Sequence, residues 1–371
     1  MKLVPRTRTA LILLALSFLS LLVVGTAAST FSAAAIGLGP SISVGPNPAE
    51  MAFDTKDNSI FVVVGGSGSG TASVTDINGA TNAIINTQKV TQPVDIAYNP
   101  TNNEIYVTSK NTGVSAINGA TGKLVKKVNV ATNDFRQDLA YDPTNGNIYV
   151  VNTNPGTVSV ISSSTNTVIS TIKTGSYPQH IAYNPADGNM YVFVSTKSAL
   201  APFVSVISSS TNKVVKKIPL SSPPGSDPAA NLAYDPASAS MLVSNDMGSV
   251  FVISGGKVAA TISATVLGMT FNPSNGEMYA VGGGLVYAIS STNSIVSTIT
   301  TPGCYVNLAY DQVNNDIYVG GSIVNVISSS NSLVASVTTG AQGFVLFNPI
   351  GGDVIASLMA SPGSVVVISS S

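Results

Sequence analysis

The stretch "AYNPTNNEIYV", residues 97–107, decides how this chain is read. Two short apolar runs flank an Asn-Pro turn. The Asn bonds forward to its own backbone, the Pro fixes φ, and an Asn or Gly further on accepts the left-handed conformation. One copy predicts a hairpin. The chain holds eight: "MAFDTKDNSIFV", "IAYNPTNNEIYV", "LAYDPTNGNIYV", "IAYNPADGNMYV", "LAYDPASASMLV", "MTFNPSNGEMYA", "LAYDQVNNDIYV" and "VLFNPIGGDVIA". Their aromatic residues are Phe53, Tyr98, Tyr141, Tyr183, Tyr234, Phe271, Tyr310 and Phe347, separated by 45, 43, 42, 51, 37, 39 and 37 residues.

Each unit continues with a second hairpin, as in "VSVISSSTNTVISTI", where Val and Ile runs flank a Ser-Thr-Asn turn. A unit is therefore four short antiparallel strands, apolar or small on both faces. Such a sheet must be covered on both sides by copies of itself, and radial stacking does this while leaving only short edges. The fold class expected is all-β, a β-propeller. The eighth unit ends at "SVVVISSS" without its outermost strand, and "PSISVGPNP" (residues 40–48) matches the missing piece. The strand Ser41–Val44 is thus expected to complete the last blade and close a ring of eight, with seven blades as the alternative.

The phrases "EIYVTSK" and "NIYVVNTNPGTVSVISSSTNTVISTI", with the Asx-Pro turns, resemble the YVTN-type β-propeller repeats of archaeal and bacterial surface-layer-like proteins. Tyr149-Val150-Val151-Asn152 matches best and Asn245 keeps the motif Asn, while blades one, six, seven and eight depart from it. The resemblance spans residues 40–371. It implies a propeller at the cell surface and says little about function, because propellers host many unrelated activities.

The first 35 residues are of another kind. Lys2, Arg6 and Arg8 precede the apolar run Ala10–Val24, and small residues follow. This is the pattern of an export signal, with cleavage after Ala28 or Ala35; an uncleaved anchor is the rival. The domains expected are 1–35, signal or anchor, and 36–371, one propeller, with the protein secreted or held at the cell surface. Cys304 is the lone cysteine, so no internal disulfide forms. There is no N-x-Ser/Thr sequon. Charged residues make up only 9% of the chain and the net charge is −1. No basic stripe is expected, and no nucleic-acid partner. Nucleophile, zinc-protease and haem motifs are absent. The glycine runs at 65–70 and 282–284 join strands and are not phosphate loops.

Chemistry has one candidate location. The residue three before each aromatic is Glu50, Asp95, Asp138, His180, Asn231, Gly268, Asn307 and Phe344. On the innermost strands this column borders one mouth of the central channel. Glu50, Asp95, Asp138, His180, Asn231 and Asn307 are the candidate ligand-binding residues. Opposite inner strands lie too far apart to share an ion, so only the neighbours Glu50, Asp95 and Asp138 could hold a divalent cation such as calcium, and Arg136 could neutralise them instead. Three readings stay open: a hydrated polar lip, a small-ligand site and a bound cation. No catalytic residue or cofactor is assigned. Variable loops on the same mouth, "NTNPG", "STKSALAPF", "MASPG" and "SSPPGSDPAAN" (221–231), are the expected seat of specificity. The leading function is a non-catalytic binding or envelope scaffold with a protein or surface-glycan partner, meeting membrane only through its N-terminal segment. The alternative is a metal-assisted lyase or lactonase at the channel mouth, a kind of enzyme that resembling propellers include.

Overall fold

The computed structural model describes residues 36–65, 72–130, 138–195, 201–221, 231–245, 248–303, 305–360 and 362–370. The leader, Arg136 and Cys304 lie outside them, so the readings placed on those residues are not addressed by the structure. The described residues contain no helix, and so none long and apolar enough to cross a membrane.

Eight four-stranded antiparallel sheets are present. Blade 1 spans Pro48–Lys89, blade 2 Pro93–Val128, blade 3 Leu139–Lys173, blade 4 Tyr177–Pro219, blade 5 Asn231–Ser263, blade 6 Gly268–Thr300 and blade 7 Tyr305–Thr338. Blade 8 holds Val345–Asn348, Asp353–Leu358 and Ser364–Ser370, and its outer strand is Ile36–Ser43 from the other end of the chain. The ring is closed and has eight blades. The closing strand is longer than the sequence suggested, beginning at Ile36 and ending at Ser43 instead of running from Ser41 to Val44. A register shift between Leu38 and Ser41 absorbs Gly39-Pro40, which lets Ile36–Leu38 pair with Ser370–Ile368 as well. Inner strands touch in sequence around the ring, and Pro48–Asp54 meets Val345–Asn348 to complete it.

The apolar residues form eight separate seams, one between each pair of neighbouring blades. The seam that closes the ring joins Ile355, Val365 and Val367 to Ile60, Val62 and Ile77. Burial on both faces explains the unbroken apolar second strands, such as Ser59–Val64, all of whose residues are buried.

The first-to-second-strand turn is the same eight times. Five residues after each aromatic the backbone is left-handed: Asn58, Asn103, Gly146, Gly188, Ala239, Gly276, Asn315 and Gly352 have φ between 50° and 76°. The residue following the aromatic caps the turn, as where Asn99 Oδ1 accepts the Thr101 amide at 2.9 Å and Asp142 Oδ1 that of Thr144 at 2.8 Å. The same side chains fasten blades together. Asn99 Nδ2 donates to Gly146 O at 2.9 Å, Asn272 Nδ2 to Asn315 O at 3.0 Å, and Asn348 Nδ2 to Gly79 O at 2.7 Å across the closure.

A second fastening uses the tyrosine of the second strand. Tyr106 donates its hydroxyl to Asn166 Oδ1 of the next blade at 2.5 Å and receives Asn102 Nδ2 at 2.8 Å. Glu104 Oε2 accepts from both asparagines, at 2.9 Å from Asn102 and 2.8 Å from Asn166. Tyr149 makes the equivalent bond to Asn212, and Tyr279 to Asn331 with Glu277 alongside. Burial pushes the Tyr149 hydroxyl up to about 12, keeping it a donor.

Candidate functional site

The polar column lies where the strand order places it. Glu50, Asp95, His180, Asn231, Gly268 and Asn307 are on inner strands, while Asp138 and Phe344 stand one residue before theirs. The structure gathers half of the column. Asp138 Oδ2 contacts His180 Nδ1 at 3.2 Å and accepts the Ile181 amide at 2.9 Å. Asp95 Oδ1 accepts its neighbour Ile96 N–H at 2.8 Å, and Oδ2 accepts the Leu139 amide at 3.3 Å. Asn307 is on the far side of the ring, where its Oδ1 takes the Val345 amide at 2.8 Å and its Nδ2 donates to Val345 O at 2.9 Å. Asn231 joins neither group; its carbonyl receives Ser244 Oγ at 3.4 Å.

A rule emerges that no single-blade reading could give. Asp95, Asp138 and Asn307 each accept the amide one residue past the column position of the following blade. The column is thus partly an inter-blade bracket, in which Asp95, Asp138 and Asn307 bind the backbone of the following blade. The signal was present in the chain as a polar residue followed by an apolar one, but its target belongs to the next repeat.

The acidic arc is electrostatically crowded. Burial, then the charge of Asp138, raises Glu50 from 4.5 to about 7. Burial raises Asp95 well above its usual value, the charges of Asp138 and Glu50 add to it, and the Ile96 amide opposes the rise. Burial and mutual repulsion thus favour the protonated forms of Glu50 and Asp95. Among the described residues no three His, Cys, Asp or Glu side chains converge closely enough to hold a metal ion. His180 has the carboxylate neighbour that a general base needs, and no second histidine exists to partner it.

The two ends of the ring differ. At the end away from the column, each aromatic stands seven residues before the same position of the second strand, from Phe53 to Ile60 through Phe347 to Val354. At the column end the connections range from the single residue Ser322, between Gly321 and Ile323, to the eleven of 220–230. Of the loops expected to carry specificity, "NTNPG" is described, with Asn154 and Pro155 exposed. Parts of "STKSALAPF" and "MASPG", and nearly all of 221–231, lie outside the described residues.

The outer walls correct one expectation. The chain shows no basic stripe in sequence, yet folding makes one. Residues 113–128, 157–173, 203–219 and 249–263, the two outer strands of blades 2 to 5, carry eight lysines and no Asp or Glu. The lysines are scattered in the chain because a repeat of about 42 residues separates neighbours on the wall.

No family model matches the chain, and no curated protein matches it. Among solved structures it is similar to the C-terminal WD40 domain of Sif2, at 14% identity and a TM-score of 0.68, over 90% of this chain and 98% of that one. It is also similar to hydrazine synthase of Kuenenia stuttgartiensis, at 16% identity and a TM-score of 0.57, over 88% and 96%. At such identities the likeness is one of fold.

Proposed function

We propose that this chain is a non-catalytic binding scaffold of the YVTN-repeat, surface-layer-like kind, exported through its N-terminal segment and taking a protein partner on the column end of the ring. The observation that carries this reading is the contrast between the ends. One end repeats a single turn eight times and bonds several of these turns to the next blade. The other suspends connections of unequal length from fixed strand ends, the arrangement that rigid scaffolds offer to a partner. The WD40 likeness agrees with interaction across one face, and three of the six polar column residues, Asp95, Asp138 and Asn307, are engaged in holding the next blade.

The test is site-specific photo-crosslinking in the native host. A crosslinking side chain at Asn154 or Ala201, both exposed at the column end, is expected to capture a discrete protein, whereas one at Lys56, exposed in a turn of the opposite end, is not. Capture from Lys56 alone would reverse the face. A stoichiometric divalent ion in the purified protein, with turnover lost in Asp95→Ala and His180→Ala, would replace this reading by the lyase or lactonase one. Export is checked separately, by finding the chain outside the cytoplasm with a new N-terminus after Ala28 or Ala35.

A further inference from the structure

We propose that the outer wall of blades 2 to 4 is a second binding surface, for a flexible acidic polysaccharide lying across the strands. This inference is independent of the partner at the column end.

It starts from the distribution of charge. Of sixteen lysines and arginines in the chain, Lys123, Lys126, Lys127, Lys173, Lys213, Lys216, Lys217 and Lys257 fall on the outer strands or turns of blades 2 to 5, and all eight are exposed. None makes an ion pair with a described carboxylate. After Lys257 the chain has no basic residue at all. A field of one sign covers half of the ring in a protein whose net charge is −1.

Register gives the field a direction. Lys126 and Lys127 stand opposite Ala116 and Ser115 in blade 2, and Lys216 and Lys217 stand opposite the equivalent Val206 and Ser205 in blade 4. At the same height in blade 3 are Ser170 and Thr171. Two lysine pairs at one level thus flank a pair of hydroxyl side chains. The tract is continuous, since Lys126 Nζ reaches across to Thr165 O of blade 3 at 3.0 Å and the outer strands of blades 3 and 4 touch.

Shape and chemistry choose the occupant. Eight blades turn the wall by about 45° each, so a flat membrane meets one or two blades and cannot engage blades 2 and 4 together. Duplex DNA, stiff over about 150 base pairs, cannot follow the curve either. Single-stranded nucleic acid binds through stacking on open aromatic faces. Here Phe251 is buried and Lys217 covers the Phe203 ring at 4.9 Å. A peptide added to a sheet edge runs along the strands, whereas this tract crosses them. A bendable chain bearing carboxylates and hydroxyls satisfies the lysine pairs and the Ser-Thr step together.

The experiment uses the folded propeller and polygalacturonate, a uronic-acid polymer, in calorimetry at low salt. Wild type is expected to bind, with log Kd rising linearly with log salt. The variant K126E/K127E/K216E/K217E should bind at least about tenfold more weakly, and S170A/T171V should weaken uronate binding without weakening that of sulfated dextran. The charge change Lys56→Glu, off the tract, should leave binding unaltered. No binding at low salt, equal loss in Lys56→Glu, or an unaltered quadruple variant with an unchanged melting curve would overturn the proposal. So would tighter binding of polyglutamate, single-stranded DNA or anionic vesicles at matched charge.

Discussion

Two neighbouring seams of this ring solve the same packing problem by different means. Between blades 2 and 3, Tyr106 projects from the second strand, packs on Ala116 and ends in a bond to Asn166, whose left-handed φ of 51° suits asparagine. Between blades 1 and 2 the equivalent of Tyr106 is Phe61, which has no hydroxyl, and the equivalent of Asn166 is Gly122. The position paired with Phe61 is Asp76, where the other seven seams place Ala116, Val160, Val206, Val252, Ala288, Val326 and Val367. Asp76 is 1% exposed and neither of its carboxylate oxygens has a hydrogen-bond partner. A Cβ on Gly122 would stand 2.9 Å from Asn86 Cβ and 3.0 Å from Asp76 Oδ2, so these two side chains fill the space that the asparagine takes elsewhere. The lesson is that a repeat fold needs each seam filled, even where a polar group is left unpaired, and that the residues that fill it are exchanged in sets across a blade boundary.

The largest expected effect breaks the satisfied seam. Asn166→Ala removes the nearer acceptor of the Tyr106 hydroxyl, leaving Glu104 Oε2 at 3.1 Å, removes one donor to Glu104, and places alanine at a left-handed φ. Stranding buried polar groups costs about 1–3 kcal/mol and the conformation about 1 more, so a loss of about 3 kcal/mol is expected in chemical unfolding. Asn82→Ala is the matched control. Its Oδ1 already lacks a partner, because the preceding blade carries Ile355 where Tyr106 would be. It should lose only the conformational part.

Next in size is the converse at the unsatisfied seam. Burial, with the charges of Asp54 and Asp57 adding to it and the nearby Ser59 hydroxyl opposing it, raises Asp76 from 3.8 to about 6. The folded chain then binds more protons than the unfolded chain between those values, so stability falls as pH rises through that window. Asp76→Val, which restores the residue found at most other seams, is expected to add about 2 kcal/mol at pH 7.5 and almost nothing at pH 4. Glu50, raised to about 7, acts with the same sign. The wild-type melting temperature should therefore be higher at pH 5 than at pH 7.5, and Asp76→Val should reduce the difference without abolishing it. An unchanged pH dependence in that variant would show that Asp76 is hydrogen-bonded or ionised in solution.

Asp76 also marks the limit of what the chain discloses. Turn and strand count were legible because each is a local pattern repeated eight times, and closure because the last repeat lacks a strand that the residues before the first one match. The column was legible as an alignment of polar residues, but its use was not, since Asp95 bonds forward to Leu139 and Asp138 to Ile181. Fastenings between blades join residues dozens of positions apart, and the lysine wall is assembled the same way. Ala239 stands where the repeat asks for Gly or Asn, and its φ of 50° confirms the demand instead of relaxing it. Ala239→Gly is accordingly expected to stabilise by about 1 kcal/mol, read as a higher melting temperature. Gly188→Ala at the equivalent turn should lower it by a similar amount.

The smallest effect would extend the satisfied seam to a third kind. Between blades 5 and 6 the position of Tyr106 is held by Leu242, fully buried, and the facing Asn293 has a left-handed φ of 62° and a buried Oδ1 without a partner. The acceptor is in place and only the hydroxyl is missing. Leu242→Tyr supplies it at a site paired with Val252, as Tyr149 is paired with Val160. A buried hydrogen bond is worth about 1 kcal/mol net, and the larger ring must displace neighbours tuned to leucine. The gain expected is thus about 0.5 kcal/mol. A double-mutant cycle with Asn293→Ala isolates it: the coupling should be favourable by about 1 kcal/mol even if the single substitution is neutral. A coupling of zero would show that the tyrosine and asparagine fasten blades by filling space and not by bonding.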